Sequence, residues 1–309
     1  MWFVVLFALI GLNELIRRSK WASIGIFLML PVILTVFWML FPDPEIRNWF
    51  YWVKVFSAIA GSVIFMVIRF TDFHKKHKWY LVLPPAILGL NIAEAVAREF
   101  EIGFSNIGVS VGGVNGLAAF NMPLISGDWN IANAIAGILN IVLLCGWFGI
   151  ASSRKPGDNP TAAKDMLWPD QINLWVIAYG IWNISYVYSC STFNAFYSGF
   201  ALNIAATIPA LFWARGAWLQ HRAATLSFWM MWVMTFPRFF YNSPEAATFQ
   251  VNPSFDPWAN RTIAYLSLTL NVALAIWQVY RIVKLKKNPL KDEIYIDLKQ
   301  YQEIAAKRA

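Results

Sequence analysis

The chain has 309 residues, of which 58% are hydrophobic and only 14% charged, with a formal net charge of +8. A soluble domain with so little charge would precipitate, and a mean hydropathy of +0.49 points to a lipid solvent. A positive excess alone would fit nucleic acid, but its distribution along the chain argues against that reading.

A helical membrane span needs about 20 apolar residues, and nine stretches approach that length. The first, 2–16, follows the initiator Met and has no small-residue cleavage site, so it is expected as a retained helix rather than a signal peptide. The others are 22–41, 50–69, 80–98, 130–151, 171–191, 197–215, 223–240 and 261–283. Every second connection is basic. Arg17, Arg18 and Lys20 follow the first stretch; Arg69, Lys75, Lys76 and Lys78 follow the third; Arg154, Lys155 and Lys164 follow the fifth. Arg215 and Arg222 follow the seventh, and Arg281, Lys284, Lys286, Lys287 and Lys291 follow the last. This positive-inside pattern predicts an N-terminus outside and a C-terminus inside, and it holds only for an odd number of spans.

The expected fold is therefore all-α, a polytopic transmembrane helical bundle of about nine spans. Residues 1–287 would form one domain and 288–309 a polar cytoplasmic tail. Leu298, Tyr301 and Ile304 recur at helical spacing in that tail, which predicts a short amphipathic helix at the membrane surface or against the inner loops. Two outer connections are long. The glycine-rich, nearly uncharged segment 100–129 reads equally well as a re-entrant or lid-like segment and as a surface loop. The prolines of 241–260 exclude a long helix there.

Asparagines lie deep in the apolar stretches: Asn13, Asn91, Asn140, Asn183, Asn203 and Asn271. Unpaired polar groups are costly in hydrocarbon, so these face other helices, water or a ligand. Asn91, Glu94 and Arg98 follow spacings of three and four; Asn130, Asn133, Gly137 and Asn140 do the same, as do Tyr179, Asn183, Tyr186 and Cys190. Such spacing puts each set on one side of its helix. Together with Ser267, Asn271 and Gln278 they predict a shared cavity opening outward. The competing reading treats each asparagine as interhelical glue, at about 0.6 to 2 kcal/mol each. Glu94 and Arg98 could neutralise one another at i,i+4. Lys54 is the other candidate partner for Glu94, or a lysine that snorkels to the outer headgroups.

A second cluster is predicted at the inner side: Glu14 and Arg17 at the end of the first stretch, and His221 and Arg222 between the seventh and eighth. It reads as an inner gate or, with greater weight, as a fastening of helix ends. Several chemistries lack their signatures. GxxxxGK[ST] and HExxH are missing, His74 and His77 read as solvated loop residues, and the late stretches hold no lysine for a retinal Schiff base. Cys145 and Cys190 read as small apolar fillers within their spans.

The segments NELIRRSKWA (13–22), NIAEAVAREFEIG (91–103), KDMLWPD (164–170), GAWLQHRA (216–223) and KLKKNP (284–289) resemble an uncharacterised prokaryotic family of multi-pass membrane proteins, known only as a domain of unknown function. The resemblance implies a bacterial or archaeal cytoplasmic membrane and no particular activity. From the residues, the leading expectation is a transporter of a small polar solute or ion. Its site would lie in the outer half to midplane of the bundle. Glu94 would supply charge or carry a proton, and Arg98 and Lys54 would balance it or grip an anionic group. Asn91, Asn133, Asn140, Asn183 and Tyr186 would offer hydrogen bonds. The alternatives are a membrane sensor or assembly subunit, and, ranked last, a lipid-modifying enzyme. The expected partners are the bilayer and the solute, with a homo-oligomer or a membrane partner protein left open; nucleic acid, metal and cofactor are not expected.

Overall fold

The computed structural model describes residues 1–43, 49–105, 110–112, 123–153, 164–190, 195–237 and 256–309. Each of the nine predicted stretches falls on a helix: α1 (Trp2–Arg18), α2 (Lys20–Leu40), α3 (Trp49–Phe70), α4 (Leu83–Ser105), α5 (Asp128–Val142), α6 (Asn173–Cys190), α7 (Phe196–Phe212), α8 (Trp218–Thr235) and α9 (Pro257–Leu285). Four of the helical segments, Lys20–Leu40, Trp49–Phe70, Lys78–Phe104 and Pro257–Leu285, are long and apolar enough to cross a membrane. They mark the chain for association with one. The all-α expectation is qualified by two short antiparallel pairs, β1 (Ser110–Gly112) with β2 (Pro123–Ile125) and β3 (Ala151–Ser152) with β4 (Met166–Leu167).

Local chemistry accounts for the breaks and bends. Ser19 ends α1 and caps α2, its hydroxyl accepting from the Ala22 N–H at 3.1 Å. Pro31 lies within α2, where its ring would crowd the carbonyl four residues back. The turn before it, Gly25–Met29, widens to π geometry and absorbs the crowding. Pro209 in α7 cannot donate to the Ala205 carbonyl; Asn13 of α1 supplies that donor at 3.3 Å.

Two boundaries differ from expectation. The fifth helix ends at Val142, not at 151, and leaves Cys145 in a turn beyond it next to Gly146, whose φ of 65° is left-handed. Hydrophobicity alone could not show this, because the apolar residues run on through the turn. The eighth helix starts at Trp218 instead of 223, directly after Gly216 with φ of 91°. His221 and Arg222 are therefore helical and buried, not part of a connection. Residues 106–109 and 113–122 of the first long connection, and 241–255 of the second, lie outside the described residues, so the re-entrant or lid-like reading of 100–129 does too.

Helix α4 packs on α3 and α5, α8 on α3 and α7, and α9 on α5 and α6. The closest approach centres on Gly137, where a Cβ would stand 2.7 Å from Trp182 Nε1 and closer still to Val96. The tail folds back onto one end of this bundle. Its helix α10 (Lys299–Ala305) buries Tyr301 and Ile304, Ile304 against Gly216. Arg281 binds Asp297, Arg308 binds Glu293, and Arg215 binds Glu303 at 2.7 Å. Asp170 holds the tail's backbone, accepting from the N–H groups of Ile294 (2.7 Å) and Tyr295 (3.2 Å).

Gly137→Val forces the α4–α5–α6 contact apart, and a loss of about 1–3 kcal/mol or outright misfolding is expected from overpacking alone; thermal unfolding in detergent at parental stability would contradict the packing. Burial pushes the Asp170 pKa up to about 6 from its usual 3.8, with the two tail N–H groups opposing. Between those values the folded protein holds this proton more tightly than the unfolded chain does. The group's contribution to stability is then greatest below pH 4 and falls, by about 3 kcal/mol, as pH rises through 6. Comparing the parent with Asp170→Asn across pH 4 to 7 should show that decline; a constant difference would contradict it.

Candidate functional site

Five helices converge on a cavity of about 90 Å³. This is room for about three waters at about 30 Å³ each. Helix α3 contributes Lys54, α4 Asn91, Ala95 and Arg98, and α6 Tyr179, Trp182, Asn183 and Tyr186; α7 adds Ser198, and α8 Arg222 and Met230. Lys54, Arg98 and Ser198 lie toward the end of the bundle away from the docked tail, whereas Arg222, one turn into α8, and Tyr179 lie toward the tail, so the cavity straddles the middle of the bundle.

The charges are arranged in a graded way. Lys54 Nζ meets Glu94 Oε2 at 3.1 Å and donates to the Asn91 carbonyl at 2.6 Å. Glu94 stands one side chain behind the cavity wall, where the Ser57 hydroxyl donates to it at 3.3 Å and its second oxygen is buried without a partner. Arg98 does not pair with Glu94. Its guanidinium turns to Glu101 at 2.6 Å, one turn further along, leaving Glu94 to the neighbouring helix. Arg222 is 5% exposed, and no carboxylate faces it among the described residues. Its Nε donates to the Tyr179 hydroxyl at 3.2 Å and its Nη2 to Asn183 Oδ1 at 3.3 Å, while Nη1 is buried without a hydrogen bond. Asn203 fixes the other side of Asn183, donating to the same oxygen at 2.8 Å.

The predicted hydrogen-bonding residues divide. Asn91, Asn183 and Tyr186 line the cavity, as Lys54 and Arg98 do. Asn133 and Asn140 do not. Asn140 donates to the Ala136 carbonyl of its own helix, and Asn133 belongs to a separate cluster around Glu99. Glu99 is fully buried and accepts from Asn130 (2.5 Å), Asn133 (2.9 Å) and Ser189 (3.1 Å), with no cation in contact among the described residues. Sequence reasoning passed over it. The signal was present in its place one residue after Arg98, because i,i+1 neighbours face different helices. Asn271, expected at the same depth, donates to Ser267 within its own helix.

The inner cluster is a fastening. Arg17 clamps Asp165 with two hydrogen bonds of 2.8 Å, Glu14 binds Arg17, Arg18 and the Trp213 indole, and Arg69 caps the carbonyls of Ile16, Arg17 and Lys164. Although burial pushes the Asp165 carboxyl up, Arg17 and its neighbours outweigh this and hold its pKa below the usual range. His221 is buried there, away from the cavity, and Arg222 has left the cluster for the cavity itself. The reason is the helical register: α8 begins early enough that residues 221 and 222 project from different faces. His74 is also buried, at 3% exposure, where a solvated loop residue was expected; its ring tucks under the short turn Phe73–Lys76.

Removing one member of the buried Lys54–Glu94 pair should cost about 3–5 kcal/mol, because the other charge is left bare. Lys54→Met is expected to destabilise strongly, and adding Glu94→Leu to recover most of the loss. A double variant as unstable as the sum of the singles would refute the pairing.

A model of a family of unknown function, DUF5692, matches residues 1–307. No curated protein and no solved structure matches the chain.

Proposed function

The chain belongs to DUF5692, a family of unknown function, and we propose that its members move a small polar solute or ion across a membrane. The observation that carries this reading is a cavity walled by five helices, with Lys54, Arg98 and Arg222 at its surface. A structural bundle has no use for such an arrangement. Burying a cation costs several kcal/mol unless a partner or water compensates it, and the cavity supplies water or a ligand.

In this reading all nine helices cross the bilayer, with the N-terminus outside and the C-terminus inside. The four long apolar helices support it, as do the exposed apolar faces of α2 (Val32, Ile33, Val36, Met39) and α9 (Ile276, Val279, Val283). The short α5 is the least comfortable member: its 15 residues extend about 22 Å against a core of about 30 Å. Further support comes from Arg17, Arg69, Arg215 and Arg281, which gather with the tail at one end. The cavity then reaches from the midplane toward the outer side of a bacterial or archaeal cytoplasmic membrane, with Arg222 at its inner edge. Lys54 and Arg222 meet the solute, Asn91, Asn183 and Tyr186 replace its hydration, and Glu94 responds through Lys54. A solute that draws Lys54 away leaves Glu94 exposed to protonation, which is a direct route to proton coupling.

A sensor or assembly subunit would use the same cavity without passage, and the ordered tail on the basic end would be its output surface. The lipid-enzyme reading ranks last of the three. Proteoliposomes carrying the purified protein should show solute-driven currents or uptake with a panel of small anions, amino acids and alkali cations. Glu94→Gln, destabilised by the loss of its ion pair and therefore assayed where circular dichroism shows it folded, should retain binding and abolish proton-coupled uptake. Binding without flux of any solute in the parent would leave the sensor standing instead.

A further inference from the structure

The cavity of the proposed transporter discriminates by charge, and the choice of substrate class follows from counting the ions around it. Three cations line it and no carboxylate does among the described residues. Two of the three are already neutralised: Lys54 by Glu94 and Arg98 by Glu101. Arg222 has no anionic counterpart among the described residues, and one of its terminal nitrogens makes no hydrogen bond although the side chain is buried. The site is short of one negative charge.

The remaining wall is apolar. Trp182, Leu226, Trp229, Met230 and Val233 face the same space as the guanidinium. A hydrated inorganic anion would keep its water against such a surface poorly, whereas an organic body would shed water on entering. A guanidinium also presents parallel N–H groups that match the two oxygens of a carboxylate. At about 30 Å³ per water, the space holds about three waters, which is the size of a carboxylate with a body of one or two carbons.

We infer that the cavity binds a small organic monocarboxylate, its carboxylate on Arg222 and its short apolar body against Trp182, Trp229 and Met230. The inference rests on the reading of this cavity as the solute site, but it is separable from transport. Tyr179 and Asn183 orient the guanidinium from one side and leave the free nitrogen for the ligand. Lys54 provides the second, competing cation: a bound carboxylate within its reach weakens the Lys54–Glu94 pair.

Propionate is the probe, and propionamide, propylammonium and inorganic phosphate serve as controls. Titrated into the full-length protein in detergent, with calorimetry and thermal shift as readouts, propionate should bind at least tenfold more tightly than propionamide. Propylammonium should not bind. Arg222→Gln should lose at least that tenfold preference, and Arg222→Lys should retain part of it. Equal binding of propionate and propionamide would overturn the charge argument, and so would propionate binding undiminished in Arg222→Gln. Phosphate binding as tight as that of propionate would overturn the organic body. If Arg222→Gln does not fold, the comparison of ligands on the parent protein still decides. Propionate binding without propionate flux would remove transport and keep the site. Flux of a neutral or cationic solute without propionate binding would do the reverse.

Discussion

A guanidinium inside a bundle of apolar helices must be paired, hydrated or occupied by a ligand, and Arg222 sets that constraint for the whole arrangement. Its cost in a dry interior would be several kcal/mol, comparable with the net stability of a domain. The surrounding structure accommodates it by leaving space. Trp182 and Gly137 bring α5 and α6 close together behind the cavity, Asn203 fixes Asn183, and Asn183 with Tyr179 fixes the guanidinium. Close helix packing therefore lies directly behind the cavity. That juxtaposition is how a fixed site is built.

The tail end of the bundle and the cavity pose different electrostatic problems. At the tail end, arginines meet carboxylates and backbone carbonyls: Arg17 with Asp165, Arg69 with three carbonyls, Arg281 with Asp297. Buried Arg281 Nε and His221 Nε2 are still without a hydrogen bond there. Around the cavity the pairs are incomplete too. Glu94 has one unpartnered oxygen and Arg222 one unpartnered nitrogen. A polar network with every group satisfied holds a structure rigid, while a partly satisfied one beside a cavity marks the place where something else arrives. Glu99 stands between these cases, buried with three donors and no cation in contact among the described residues.

The helices were legible because apolar runs of span length have few alternatives. The ends were legible only where a charge or a capping residue marked them, as Ser19 does. Hydropathy carried the fifth helix too far, since Leu143, Leu144 and Cys145 are apolar but belong to a turn that Gly146 makes. The polar run in GAWLQHRA suggested a connection, yet the helix begins inside it and takes Arg222 into the cavity. Spacing of three and four placed Asn91 and Arg98 on one face correctly. It could not tell which neighbouring helix that face would meet, so Glu94 found Lys54 rather than its own arginine, and Asn133 and Asn140 turned to other partners. Pairing across helices is a property of packing, and a single chain's periodicity does not encode it.

Water at the charged centre is the claim on which the functional reading stands, and radiolytic hydroxyl labelling of the unmodified protein in lipid nanodiscs reads it residue by residue. Met230 lines the cavity, whereas Met231 and Met234, buried to a similar degree on the same helix, do not. The account predicts rapid oxidation of Met230, with Met231 and Met234 protected. Equal protection of all three would mean a dry, filled centre, and the solute site would go with it.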